Sequence, residues 1–413
     1  MNKFTKTIPI NGIGVHVDLT AYKPIVEHPK FVRLGRIQQI PFGQTLYEGC
    51  VHTRREHSIG CFYLTERICK HIQKEYGTLT DEDINDLKIS ALLHDLGHAP
   101  FSHVVENAFS GFSHDKKILR LIEEIGEEIE KCHGRAEIVQ SILSRQSALH
   151  YIISSILGAD KLDYVQRDLY HCGLGQVPQF EKLLDSLVFK NDKYGVLPTQ
   201  DAGNALVSFL KAWWDAHRQI YLHKEVEKPR AMFQKALLYE FDPEDIEEIS
   251  EWDDFELIAR LRSSEDKRVK KLMNYLENNK YYKEIAVLKL DEYEQYEDSD
   301  VPVFTLTTSE MKKMKSAEYT RSKEKELARE LNIPEESIII TNSQDIERLN
   351  PEKKAVNFIN HEPEEASKIY PDFFSYLKEE MNRHFAVRLL VEPERADELK
   401  SKLEGENIKK LLI

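Results

Sequence analysis

The chain has 413 residues, 41% of them hydrophobic, with charges of both signs and a net charge of −14. That length exceeds what one core usually supports, so two domains are expected, and the composition excludes a disordered chain. The acidic balance argues against a general nucleic-acid binder, which needs a basic face, yet it permits a small anion in a local basic pocket.

The opening residues, MNKFTKTIPINGIG, carry no readable secretory leader. The longest apolar runs, such as YIISSILGA at 151–159, are too short to span a bilayer. The five cysteines (Cys50, Cys61, Cys69, Cys132 and Cys172) lack paired CxxC spacing. They fit reduced thiols in a cytoplasmic protein rather than a cysteine zinc site.

Residues 1–25 read as a short β or irregular entry in which GVHVDL alternates. From about 30 to 275 the chain reads as mostly helical, with apolar residues three and four apart. TRREHSIGCFYLTERICKHI offers Thr53 as a helix cap with Glu56 three residues on, a capping-box pattern. TLTDEDINDLKISALLHDLGH begins similarly at Thr80. The acidic run DPEDIEEISEWDDFE reads as a solvated helix face and turn. After residue 280 the texture changes. YYKEIAVLKLD, VPVFTLT, ESIIITN and HFAVRLLVEP read as strands, and SKEKELARELNI, DFFSYLKEEMNRH and RADELKSKL as helices. A boundary is expected between 275 and 285.

The stretch SALLHDLGHAPFSH, residues 90–103, carries the chemistry. On a helix beginning near Ile84, residues Ile84, Leu87, Ala91, His94, Asp95 and His98 share one face. The core-facing stripe turns polar at its end, and a buried carboxylate is too costly to leave uncompensated. Either an arginine or backbone group pairs with it, or a metal does. His57 falls on the inward face of Cys61, Leu64 and Ile68; Asp160 aligns with Ile153, Leu157, Tyr164 and Arg167. Two imidazoles and two carboxylates from three helices make a coordination set for Zn, Fe, Mn or another divalent ion. HDLGH also has the outline of the HExxH zinc-protease motif, but aspartate would retract that motif's general base, and Gly97 and Pro100 end the helix.

The ordered set His57, His94-Asp95 and Asp160, with the strings RREHSIG, HDLGHAPFSH and DKLDYVQRD, resembles the HD-domain phosphohydrolases. The branch it resembles is that of the deoxynucleoside triphosphate triphosphohydrolases, over about residues 10 to 285. A second His-Asp pair, in SHDKK at 113–117, follows no apolar helix. The implied fold is mainly α: an HD-domain helical bundle over 1–280 carrying the active site, followed by a smaller C-terminal α+β domain over 281–413.

The resemblance implies one divalent ion (Zn, Fe, Mn, Ni or Mg) held by His57, His94, Asp95 and Asp160 against the α-phosphate. His103 matches the acid that protonates the departing 5′-oxygen. Glu106 would orient it, and His98 and His114 match positions on the phosphate side of the pocket. Arg54, Lys161 and Tyr164 match further phosphate contacts, while Gln39 and Asp168 match groups that bond the sugar 3′-hydroxyl. Tyr221 resembles the tyrosine packed under the deoxyribose, and His217 and Lys224 lie in the same string, HRQIYLHK. Two departures stand out. Trp213 occupies the position where close relatives place an arginine on the triphosphate. Val32 and Gly35 replace the glutamine and arginine of an activating-nucleotide site, so that site is not implied. The implied reaction converts a dNTP to deoxynucleoside and triphosphate in a homo-oligomer, a dimer or tetramer, with no membrane partner. The alternatives are a nucleoside monophosphate or cyclic-nucleotide phosphoesterase, or a non-catalytic nucleotide sensor.

Overall fold

Helix Asp81–Leu93 begins where its sequence directs: Thr80 Oγ1 accepts from the Asp83 N–H, and Asp83 returns the bond to the Thr80 N–H. It stops at Leu93. Residues 94–97 form turns, so His98 lies beyond the helix rather than on its face. Gly97 permits the tight exit, since a Cβ there would sit 2.4 Å from the His114 carbonyl oxygen. Helix Arg54–Tyr76 also starts as expected, but Thr53 makes no side-chain cap bond. Glu56 instead accepts from Arg167 at 2.7 Å and His171 at 3.0 Å, two partners stronger than a local cap.

The structure, a computed structural model, describes residues 3–10, 13–109, 111–297, 300–314, 316–341, 356–359 and 363–402. Its chain divides into two interleaved units. The first comprises residues 1–221, 242–260 and 354–371; the second comprises 222–241, 261–353 and 372–413. A single cut near residue 280 does not reproduce this division, because segments on each side of that point return to the other's unit.

In the first unit, strands β1 (Thr5–Ile10) and β2 (Ile13–Asp18) form an antiparallel hairpin. Helix Arg54–Tyr76 packs against both Asp81–Leu93 and Ala159–His171. Gly60 allows the second approach: a Cβ there would lie 2.0 Å from Asp163 Oδ1. Around them Leu19, Ile25, Phe31, Leu34, Phe62, Leu92, Leu93 and Ile118 build a continuous core. Strands β3 (Leu187–Lys190) and β4 (Lys193–Val196) interrupt the stretch expected to be helical. Their signal was the Asn191-Asp192 turn, where φ is 51° and 58°, the left-handed pair a two-residue hairpin demands. Strands β8 (Asn357–Ile359) and β9 (Pro363–Glu365) complete this sheet in the order β3-β4-β8-β9.

The second unit holds helices Lys224–Glu240 and Lys267–Glu277, packed together, and a sheet ordered β6-β5-β10-β7. Its strands are β5 (Lys283–Leu290), β6 (Val303–Leu306), β7 (Ile338–Ile340) and β10 (Val387–Val391). Each comes from a segment read as a strand. The three segments read as helices become Ala317–Glu330, Pro371–His384 and Ala396–Lys402. Asn342 and Leu403, at the ends of two of these expected elements, lie outside the described residues. Leu288, Leu327, Ile338, Val387 and Leu389 form the core here. The fold is thus mainly α with a smaller α+β part. Among the described residues no helix is long and apolar enough to cross a membrane, and all five cysteines are free and buried.

Candidate functional site

Three segments of the first unit bring four donors to one point. His57 Nε2 lies 3.2 Å from His94 Nε2 and 3.3 Å from Asp160 Oδ1. Asp95 Oδ1 is 3.5 Å from His94 Nε2, and Asp95 Oδ2 is 3.8 Å from His57 Nε2. Asp160 Oδ1 is 3.8 Å from His94 Nε2. Donors about 2.1 Å from a shared ion stand roughly 3.0–3.4 Å apart at octahedral to tetrahedral angles. His57, His94 and Asp160 therefore fit a divalent cation after a contraction of a few tenths of an ångström, with Asp95 beside them.

The other ring nitrogens are held from behind. His57 Nδ1 bonds Asp163 Oδ2 at 2.8 Å, and His94 Nδ1 bonds the Ala91 carbonyl at 2.8 Å. Both rings thus aim Nε2 inward, the support that metal-ligating histidines usually have. Burial works against charge on every member, but the neighbours outweigh it. Arg54 and His94 hold the Asp95 carboxyl well below its usual range, while Asp95 and Cys61 raise His94 to about 9. Cys61, Asp160 and Asp163 likewise hold His57 well above its ordinary value. The local field favours a cation. Asp163→Asn, which keeps the shape and removes the charge, is expected to weaken metal retention about 10–100-fold. Dialysis against a graded chelator measures this, and unchanged retention would leave Asp163 with no part in holding the ion.

Beside this set lies a cluster of three imidazoles and one carboxylate. His98 Nε2 is 3.2 Å from Asp95 Oδ1, and its ring stacks on His114 with centroids 4.0 Å apart. Glu106 accepts from His103 Nδ1 at 2.9 Å and from His114 Nδ1 at 3.0 Å. Burial would raise the Glu106 carboxyl, but these two imidazoles hold it far below the usual carboxylate range. His114 is correspondingly raised by Glu106 against its own burial. Burial, with Arg54 and His114 nearby, pushes His98 well down. His103 is the open member, its side chain 64% exposed.

Arg54 turns two of its arms inward: NH1 donates to Asp95 Oδ2 at 2.7 Å and Nε to Ser102 Oγ at 2.6 Å. Lys161 Nζ lies 3.4 Å from Asp160 Oδ2. Farther along helix Ala159–His171, Asp168 accepts from His52 Nε2 at 2.7 Å and from Tyr221 OH at 2.5 Å. Trp213 Nε1 donates to Tyr164 OH at 3.1 Å, and the Trp213 carbonyl bonds His217 Nδ1 at 2.8 Å. His217 and Tyr221 bound a π-helical turn, a distortion frequent at functional sites. Gln39 Oε1 is buried without a hydrogen-bond partner, an acceptor that a polar ligand would satisfy. Lys224 opens the first helix of the second unit.

Sequence reasoning missed His52 and Asp163, although the i, i+3, i+7 spacing of Asp160, Asp163 and Arg167 was a usable signal. It also misjudged the acidic run. Asp253 and Asp254, expected on a solvated face, are buried. Arg36 pairs with Asp253, and Asp254 accepts backbone N–H groups from Gln38 and Phe101.

The chain matches the HD domain over residues 54–167 and the HD associated region over residues 180–365. It carries an HD domain followed by an HD associated region. The HD match opens at Arg54 and closes at Arg167, enclosing all four candidate ligands. This HD-domain chain is 30% identical over 268 residues to an uncharacterized protein of Methanocaldococcus jannaschii, a match covering 63% of this chain and 55% of that one. It is 26% identical over 245 residues to a deoxynucleoside triphosphate triphosphohydrolase of Bos taurus, covering 48% of this chain and 41% of that one. The chain spans about half the length of the curated relatives it matches. A solved phosphohydrolase from Bacteroides thetaiotaomicron superposes with a TM-score of 0.71 at 21% identity, covering 94% of this chain and 99% of that one. That likeness concerns the fold.

Proposed function

We propose that this HD-domain protein is a metal-dependent nucleotide phosphohydrolase that converts a dNTP to deoxynucleoside and triphosphate by attack at the α-phosphorus. The carrying observation is the convergence of His57, His94, Asp95 and Asp160 at 3.2–3.8 Å beside the His103–Glu106 pair. A divalent ion held there supplies Lewis-acid polarisation of a phosphoryl oxygen. The remaining work belongs to the chain. Glu106 accepts the Nδ1–H hydrogen bond of His103, leaving Nε2–H to give its proton to the departing 5′-oxygen. Arg54 and Lys161 add positive charge on the phosphate side. Gln39, with its unpartnered Oε1, and Asp168 receive the sugar hydroxyl, and Tyr221, tied to Asp168, walls the sugar. A dimer or tetramer belongs to the same reading.

A second reading, a monophosphate or cyclic-nucleotide phosphoesterase, is favoured by Trp213. Its indole is buried and spent on Tyr164, so this position offers no cation to a γ-phosphate. One experiment separates them: dNTPs, NTPs, monophosphates and cyclic nucleotides assayed with Mn, Fe, Zn, Ni and Mg, with all products resolved chromatographically. Inorganic triphosphate in equal amount to deoxynucleoside is the expected result. Release of monophosphate or orthophosphate instead would shift the substrate to the second reading, and tight binding without turnover would make the protein a sensor.

A further inference from the structure

We propose that Asp254 is a positioning residue for proton transfer, acting through the backbone of the turn that presents His103; the inference rests on the acid role given to His103 above. The turn is unusual. Phe101 and Ser102, immediately before helix His103–Ala108, have φ of 52° and 49°, two consecutive positive-φ residues that both carry a Cβ. Such conformations are unfavourable and persist only where their surroundings over-determine them. Here three buried anchors do so. Asp254 Oδ1 accepts from the Phe101 N–H at 2.7 Å, Arg54 Nε donates to Ser102 Oγ at 2.6 Å, and Arg33 donates to the His98 carbonyl at 2.9 Å.

Asp254 also ties this turn to a second functional segment. Its Oδ2 accepts from the Gln38 N–H at 2.8 Å, one residue before Gln39. The segment is fixed on its other side, where the Gln39 N–H reaches the His52 carbonyl and the Arg54 N–H reaches the Ile37 carbonyl. The carboxylate is itself rigidly presented. Asp253 Oδ1 accepts from the N–H groups of Phe255 and Glu256, Glu256 returns a bond to the Asp253 N–H, and Arg36 pairs with Asp253. Arg33 gathers the carbonyls of Ser250, Glu251 and Trp252, closing the chain segment 250–254 over the turn. Asp254 is 5% exposed, and burial pushes its carboxyl up to about 6 against the pull of its two N–H donors. A group so costly to bury, touching neither a candidate ligand nor His103 itself, is explained by the two loops it joins.

The test uses full-length Asp254→Asn and Asp254→Ala proteins, loaded with metal, beside His103→Ala. Each is assayed on the preferred nucleotide and on its analogue with sulfur in place of the 5′-bridging oxygen, whose thiolate leaves without a proton. Misplacing His103 by about an ångström is expected to lower turnover of the oxygen substrate about 10–100-fold. Turnover of the sulfur substrate and metal content should stay near wild type, and adding His103→Ala to Asp254→Asn should cost no more than His103→Ala alone. If His103→Ala is rescued by sulfur but Asp254→Asn loses both substrates alike, or loses neither, the positioning role is overturned while the acid survives. If sulfur fails to rescue His103→Ala, the acid assignment falls and takes this inference with it.

Discussion

Asp95→Asn is expected to release the metal and stop turnover. The two Asp95 oxygens divide their duties: Oδ1 faces His94 and His98, and Oδ2 faces Arg54 and His57. Removing the charge withdraws a ligand and leaves the buried Arg54 guanidinium facing a neutral amide. Alanine would break that pair outright, at a cost of about 3–5 kcal/mol, so asparagine is the better probe. Elemental analysis after gel filtration should show ion content lowered roughly tenfold or more. Asp160→Ala provides the control, because Asp160 does not pair with Arg54: it should lose the ion with a smaller fall in Tm. Full occupancy and full activity in Asp95→Asn would remove Asp95 from the ligand set.

His103→Ala should behave in the opposite way, keeping the ion and the nucleotide while kcat falls roughly 10²–10⁴-fold, the scale of a lost general acid. The separation follows from its contacts. His103 bonds Glu106 and no candidate ligand, and its exposed ring carries little of the packing. Thermal stability should move by less than about 0.5 kcal/mol, as for an ordinary surface change. Stopped-flow binding and elemental analysis, run beside kcat, tell a lost acid from a lost metal. An unchanged kcat would take His103 out of the scheme.

Much of this architecture was legible in the residues, and what was illegible shares one cause. The strands of the second unit announced themselves through β-branched runs such as Ile338, Ile339 and Ile340, because a buried strand needs those side chains wherever it sits. His94 and Asp95 were legible because polar residues on an apolar stripe need a reason. Thr80 kept its capping box, whereas Thr53 lost its own when Glu56 found Arg167 and His171. Asp163, His52 and Asp254 take their meaning from partners far away in sequence: His57, Asp168, and the N–H groups of Gln38 and Phe101. Only the spacing of Asp163 and Arg167 left a local trace; the distant pairings themselves have none. The acidic run around Asp254 was misread for that reason, since charge density alone does not show which carboxylates turn inward.

The interleaving of the two units bears on how the first of them can be inherited or moved. A gene fragment stopping at codon 280 would encode all four candidate ligands yet omit β8, β9 and Tyr370. Gly195 lies so close to the Asn357 carbonyl, and Gly203 so close to the Tyr370 hydroxyl, that both are shaped to receive that later segment. Without it β4 would present a bare row of amides, the kind of edge that recruits strands from other molecules. The first unit is therefore not a portable cassette: its last structural piece is spelled more than seventy codons downstream, and any recombination that shuffles the front half must carry that piece along.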